Sequence, residues 1–291
     1  MAKLENMKNN VKIYDNSDVI IDLYKRLEIT NGVEPGVGYD IYNLRKYKDN
    51  AIKPKNNWRP LNEKELSLIM TKEKMVSTNN QIGIVKIPDD LLMKFKEVGF
   101  QNISDYKEFS NLFKEKSENL EEAMVLVTDF FSYLIKDTYS ISNVELLCFS
   151  YERPNLETIA YSQTTNEYFG LHFDSSVGNK IFERKNNPNR LSINIGSEPR
   201  YLIFTDIDMN QMYDMLLEKD SAFKEEKEKL NDSALAYKFF ETFPNYPVYR
   251  FMQKPYEAYI APTDNVIHDG STLGKKKPDM TIVFTGYFNI N

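Results

Sequence analysis

The chain holds one cysteine, Cys148, among 291 residues, so no intrachain disulfide can form and no thiolate cluster can bind a metal. Its setting, the apolar run "VELLCFSY", predicts a buried structural thiol. Long apolar runs are missing too: none approaches the roughly 18 residues a membrane span needs. The opening "MAKLENMKNN" lacks the apolar stretch of a secretion signal, so a cytoplasmic protein without a membrane partner is expected. An excess of basic charge is likewise absent. With a net charge of −6 the chain is a poor partner for a phosphate backbone, and Lys275, Lys276 and Lys277 read as a solvated loop. There is no internal repeat and no extended low-complexity segment. Gly36 and Gly38 in "NGVEPGVGYD" have no third glycine and no preceding strand, and predict a turn in place of a phosphate cradle.

What is present is ordinary globular composition, 41% hydrophobic and 27% charged, with 19 Tyr and 18 Phe that suit a β-rich core. Ser17 as a cap predicts a helix over Asp18–Leu27. From Leu61 to about Gln101 the pattern reads helix, short strand "QIGIVKIP", helix. Leu120, Met124, Val127, Phe131 and Leu134 then recur at spacings of four and three, the packing face of a longer helix. The loop "NNWRPLN", with Trp58 beside Arg59, reads as a surface loop anchored by one aromatic, with contact to a substrate as the alternative. After Ser140 short β-like runs take over, from "NVELLCFSY" to "MTIVFTGYF", separated by turn residues as in a sandwich or barrel. One polar, charged stretch interrupts them from Met209 to Phe243 and predicts two inserted helices, whether lid, oligomer contact or neither. The expectation is an α+β chain: a mainly helical N-terminal region, 1–140, packed on a β core, 141–291, with a helical insert at about 208–243. Nothing in the sequence sets the oligomeric state.

Only two histidines occur, His172 in "YFGLHFDSS" and His268 in "NVIHDGST". Strand side chains alternate between faces, so Phe169, Leu171 and Phe173 share one face and His172 and Asp174 the other. An imidazole and a carboxylate so placed can bind one ion, and His268 is the remaining histidine. Two histidines and one carboxylate on one face of a metal leave positions open for oxygen and substrate, the facial triad of non-haem Fe(II) oxygenases. Asp269 reads as a turn residue before Gly270, with a role behind His268 as the alternative.

"GLHFDSS" followed by "HDGST" resembles the H-x-D…H motif of the Fe(II)/2-oxoglutarate-dependent dioxygenases, over about Val144 to Phe288. The resemblance implies a double-stranded β-helix (jelly-roll, cupin-like) core, with His172, Asp174 and His268 as iron ligands. It implies Fe(II), 2-oxoglutarate and O2 as the cofactor set. The activity implied is hydroxylation of an unactivated C–H bond of a small molecule, amino acid or peptide, with desaturation and cyclisation open.

One departure bears on the cosubstrate. Many members carry an arginine on the strand after the distal histidine, where this chain has Asp279, and Met280–Phe288 contains no basic residue. Arg190 in "NRLSINIG" and Arg200 in "PRYLIF" are the candidates to pair with the far carboxylate. Arg190, Ser192 and Asn194 share one strand face, which points either to solvent or into a barrel, where a dicarboxylate would satisfy it. Thr281 and Thr285 are further candidates for hydrogen bonds to the cosubstrate. Two other readings stay open: a cupin-like metal enzyme that uses no 2-oxoglutarate, and a non-enzymatic jelly-roll binding domain.

Overall fold

A computed structural model describes residues 10–17, 19–42, 44–76, 80–114, 118–135, 143–175 and 180–290. Its N-terminal part contains β1 (Lys12–Tyr14), β2 (Leu27–Thr30), β3 (Val33–Pro35), β4 (Lys46–Pro54), β5 (Arg59–Pro60), helix α1 (Glu63–Ile69), β6 (Met70–Thr71) and β7 (Gln81–Lys86). Helices α2 (Asp89–Val98), α3 (Tyr106–Lys114) and α4 (Glu118–Leu134) follow. Helix α1 begins at a reciprocal cap in which Asn62 accepts from the Glu65 amide and Glu65 from the Asn62 amide. Helix α2 stops at Gly99, whose φ of 86° suits a left-handed cap. On α4 the expected stripe is buried at Leu120, Val127, Phe131 and Leu134.

Two expectations about this part are corrected. Asp18 lies outside the described residues, and the rest of the expected first helix is a single 3-10 turn, Leu23–Arg26, that runs into β2. The chain extends there because Leu27 pairs with Phe251 across a sheet and Arg26 grips Glu257 with both contacts at 2.8 Å. Tertiary pairing outweighs local helix preference. The N-terminal region is also less helical than its periodicity suggests, since seven strands lie between Lys12 and Lys86. The charged strand β4, "KYKDNAIKP", carries no apolar alternation and is held by its neighbours β3 and β10.

The second part contains β8 (Glu145–Glu152), β9 (Tyr161–Ser162), β10 (Glu167–Gly170), β11 (Asn189–Asn194) and β12 (Arg200–Asp208). Helices α5 (Met209–Lys219) and α6 (Asp232–Thr242) form the expected insert, and β13 (Val248–Gln253), β14 (Glu257–Ala261), β15 (Val266–Ser271) and β16 (Asp279–Gly286) close the chain. The fold is a mixed α+β arrangement; the expected boundary at 140 falls outside the described residues.

The strands form three sheets, ordered β6-β1-β7-β14-β11-β16-β8, β15-β12-β13-β2-β5 and β3-β4-β10-β9. Alternation assigns their faces. Leu191, Ile193, Ile260 and Ile282 of the first sheet pack with Phe95, Val127 and Phe131 of α2 and α4. Ile203, Val248 and Ile267 of the second pack with Leu216, Leu235 and Phe239 of α5 and α6. The opposite faces of the two sheets meet: Ile82, Ile84 and Tyr259 of one contact Leu202, Phe204 and Phe251 of the other. Helices therefore cover the outside of both sheets, and the space between them is apolar at one end only. Trp58 joins the second of these outer layers, with the Arg250 guanidinium 4.5 Å over its ring, so "NNWRPLN" is anchored as expected.

Candidate metal centre

His172 and His268 are direct cross-strand partners. Each donates its backbone N–H to the other's carbonyl, at 3.1 and 2.9 Å, and the ring centroids lie 4.8 Å apart. The backbone ladder itself thus sets the rings side by side on one face. Gly170 makes the approach possible. Its φ is +68°, and a Cβ there would collide with the backbone of Ile52.

Each ring nitrogen Nδ1 faces a carbonyl, Gly170 O at 2.8 Å for His172 and Val266 O at 3.2 Å for His268. A carbonyl only accepts, so each Nδ1 carries a hydrogen and Nε2 is the nitrogen of each ring that can offer a lone pair to an ion. Both Nε2 atoms face Asp174, that of His172 3.7 Å from Oδ1 and that of His268 3.2 Å from Oδ2. Asp174 is fixed by its own backbone, which donates to Thr263 O and accepts from Arg184 Nη1. Its carboxylate is held well below the usual range: burial opposes this, and the charges of His268 and Arg190, with the hydrogen bond from His172, outweigh burial. His172 is shifted up, since the carboxylates of Asp174 and Asp269 outweigh the burial that disfavours its charge.

The three side chains fit a divalent transition ion. One ligand atom from each lies within 4.8 Å of the others. Adjacent ligands at about 2.1 Å from a metal stand about 3 Å apart, close to the His268–Asp174 separation. Asp174 Oδ2 is also buried with Arg190 Nη2 beside it at 2.9 Å in a geometry that gives no directed hydrogen bond, so the oxygen can still turn a lone pair to an ion. Two neutral imidazoles and a carboxylate suit iron and its neighbours better than calcium or magnesium.

A cavity of about 320 Å³ opens from this cluster and reaches Ser192, Thr281, Tyr259 and Arg200. The stripe on β11 faces inward, but its members part company. Arg190 Nη2 sits 2.9 Å from Asp174 Oδ2, beside the ligand cluster. Ser192 lines the cavity. Asn194 is spent on structure, accepting from Gly196 N and donating to Glu198 O, and is not among the residues lining the cavity. Arg200 is 4% exposed at the far end of the cavity, where its Nε donates to Asp279 Oδ2 at 2.9 Å. Thr285, paired opposite Arg190, turns its hydroxyl toward Asn189 O.

Lys275 corrects the reading of its triplet as a solvated loop. It is 6% exposed and donates to Asp279 Oδ1 at 2.7 Å, because the buried Asp279 charge needs partners. Lys276 and Lys277 fit the loop reading, giving only their amides to Glu198. Two buried cations, Arg200 and Lys275, therefore face the one carboxylate of Asp279, which Glu152 opposes across the β16–β8 ladder. Gly270 leaves room for Arg200, since a Cβ there would meet Arg200 Nη2 and the Ile159 side chain.

Two further residues stand differently from the expectation. Cys148 is exposed and lines the cavity, because β8 turns Phe149 and Tyr151 toward the helices and Cys148, Ser150 and Glu152 the other way. Burial around its sulfur still pushes the thiol upward. Asp269 lies within β15, not in a turn, and its Oδ1 accepts from the amides of Ile159, Ala160 and Gly270. Burial raises Asp269 to about 6. Glu152, on the same cavity, was not singled out from sequence. It receives Arg45 Nη1 at 3.2 Å and is raised to about 7 by burial that Arg45 only partly offsets. The period-two pattern of β8 was the signal for it.

Among the described residues no helix is long and apolar enough to cross a membrane. No protein-family model matches the chain, and no curated protein matches it. Among solved structures, the Kdo hydroxylase KdoO, described as a non-heme Fe(II) alphaketoglutarate dependent dioxygenase, is similar in its cobalt(II) complex. That alignment covers 72% of this chain and 80% of the other at 14% identity, with a TM-score of 0.38. Its apo form gives 72%, 79%, 14% and 0.39, and its complex with alphaketoglutarate and Fe(III) 72%, 79%, 13% and 0.37. Likeness at this level assigns neither ligand nor substrate to the present chain.

Proposed function

We propose that this chain is an Fe(II)- and 2-oxoglutarate-dependent oxygenase that hydroxylates an unactivated C–H bond of a small molecule, amino acid or peptide. The observation that carries this reading is the convergence of two imidazole nitrogens and one carboxylate within 4.8 Å. His172, Asp174 and His268 hold the ion. Bound there, Fe(II) with O2 and 2-oxoglutarate supplies the oxidising chemistry that converts C–H to C–OH as the cosubstrate loses CO2.

Arg200 receives the far carboxylate of 2-oxoglutarate. Its buried guanidinium favours an anion at this corner, and Asp279 and Gln253 fix it. Ser192, Thr281 and Tyr259 line the path from the ion to Arg200 and offer hydroxyls to the cosubstrate. The arginine that many relatives carry after the distal histidine is thus replaced by one from β12. Phe169 and His172 also border a second cavity of about 360 Å³, which gives the substrate room beside the ion. In this reading β8, β16, β11 and β14 form one half of a jelly roll and β15, β12 and β13, with the His172 bridge, the other. Regions 1–140 and 141–291 then work as one unit, since β7 pairs with β14.

The test is titration of metal-free protein with Fe(II) and then 2-oxoglutarate under nitrogen. Wild type is expected to bind one Fe(II) and to develop the charge-transfer absorption of a chelated keto acid. His172→Ala and His268→Ala are expected to lose both while remaining folded. Metal binding without the absorption band favours the cupin-like metal enzyme, for which Asp279 in place of arginine is the supporting observation. Undiminished iron binding in either variant removes the triad assignment.

A further inference from the structure

Asp174 has two claimants for one oxygen. The Oδ2 atom lies 3.2 Å from His268 Nε2, the spacing of adjacent ligands, and 2.9 Å from Arg190 Nη2. It is the carboxylate oxygen best placed to coordinate next to His268, and a guanidinium already lies against it. Arg190 extends from β11 between Ser192 and the ligand cluster, with its side chain 23% exposed. A guanidinium cannot give up its proton at any relevant pH, so it cannot make way by becoming neutral. It must move or stay as a like charge beside a divalent ion.

We propose that Arg190 is a stand-in cation: it holds Asp174 in place while the metal is absent and yields that oxygen when the metal binds. Arg190 is then a positioning residue that sets metal affinity and does no chemistry. The inference rests on the metal-site reading above. Two consequences follow from charge alone. Metal binding is weaker than three ligands of this kind would otherwise give, because the ion displaces an existing ion pair. An anionic cosubstrate strengthens metal binding, because it supplies new negative charge in the cavity as Arg190 leaves Asp174, and such coupling is reciprocal.

The experiment is calorimetric titration of metal-free protein with Mn(II), with and without 2-oxoglutarate, on wild type, Arg190→Met and Arg190→Lys. Without 2-oxoglutarate, Arg190→Met is expected to bind Mn(II) at least tenfold more tightly than wild type. Arg190→Lys, which keeps the charge, is expected to stay within about threefold. The gain in Mn(II) affinity caused by 2-oxoglutarate is expected to be larger in wild type than in Arg190→Met. Thermal unfolding of the metal-free proteins gives a second readout, with Arg190→Met melting lower than wild type alone and gaining more on adding Mn(II). A general packing defect would lower stability without tightening metal binding. Equal or weaker Mn(II) binding by a folded Arg190→Met overturns the inference and leaves the triad intact. Failure of wild type to bind Mn(II) overturns the metal site and this inference together. Should Arg190→Met not fold, Arg190→Gln replaces it under the same criteria.

Discussion

The space between the two large sheets has two ends that share strand β12. At one end Leu202, Phe204 and Phe251 pack against Ile82, Ile84 and Tyr259, and every one of them is at most 6% exposed. At the other end Arg200, Ser192 and Thr281 face a cavity that runs to the paired histidines. Strand β12 contributes to both, with Arg200 at its start and Leu202 and Phe204 a step further along the same face. Stability and chemistry are thus divided along the length of β12, while β7 supplies apolar contacts and β11 and β16 supply groups that line the cavity. The apolar end fixes sheet spacing, and the polar end inherits a geometry it does not have to stabilise itself.

This division can be broken first from the apolar end. Phe251 is fully buried and pairs with Leu202 and Leu27, away from the ligands, so Phe251→Ala is expected to destabilise the protein by about 3–5 kcal/mol in denaturant unfolding. Mn(II) affinity of the fraction still folded is expected to change far less. A large loss of affinity there would show that the two ends are not separable. From the polar end the opposite pattern is expected. Arg200→Met should weaken 2-oxoglutarate binding to Fe(II)-loaded protein by roughly ten- to a hundredfold, the equivalent of about 1.5–3 kcal/mol for a charge-assisted hydrogen bond. Iron affinity should hold, because Arg200 contacts Asp279 and Gln253 and no ligand. If Arg190→Met weakens 2-oxoglutarate binding and Arg200→Met does not, the anchor belongs to β11.

The smallest effect concerns Glu152, raised to about 7 by burial. Between the ordinary carboxylate value near 4.5 and about 7, the folded chain keeps a proton that the unfolded chain has released. Stability therefore falls as pH rises through that window. Glu152→Gln removes this contribution, so its stability relative to wild type should rise by about 1–2 kcal/mol between pH 5 and 7.5. Asp206 and Asp269, both raised to about 6, contribute equally in both proteins. A constant difference across the range would mean that Glu152 is ionised throughout.

How much of this was readable in the chain depended on whether the signal was local. The β8, β11, β12 and β16 runs are apolar enough to announce strands, and the scarcity of histidine directed attention to His172 and His268. What no local pattern carries is partnership. That the two histidines face each other across a ladder follows from sheet register. That Arg200, not Arg190, ends beside Asp279 depends on packing between β12 and β16. The helix expected over Asp18–Leu27 does not form because β2, which starts at Leu27, takes its contacts from β13, far along the chain, and β4 gives no local sign because it has no apolar alternation and is held by β3 and β10 on either side. Lys275 looked like surface since a buried lysine is unusual, and only its 2.7 Å bond to Asp279 explains it. Cys148 sits in an apolar run that the fold leaves exposed at Leu146 and Leu147 and only half-buried at Phe149 and Tyr151.

The pair formed by Arg26 and Glu257, 231 positions apart, also has a meaning for how the chain is made. On a ribosome adding about 5–20 residues per second, the arginine waits on the order of ten to fifty seconds for its glutamate. Strands β2 and β7 have β5 and β1 on one edge, and wait nearly as long for β13 and β14 to pair the other. These strands are therefore locked in place only once β13 and β14 have been made. During translation the chain carries open strand edges, the condition under which nascent proteins depend on chaperones and misassociate at high expression.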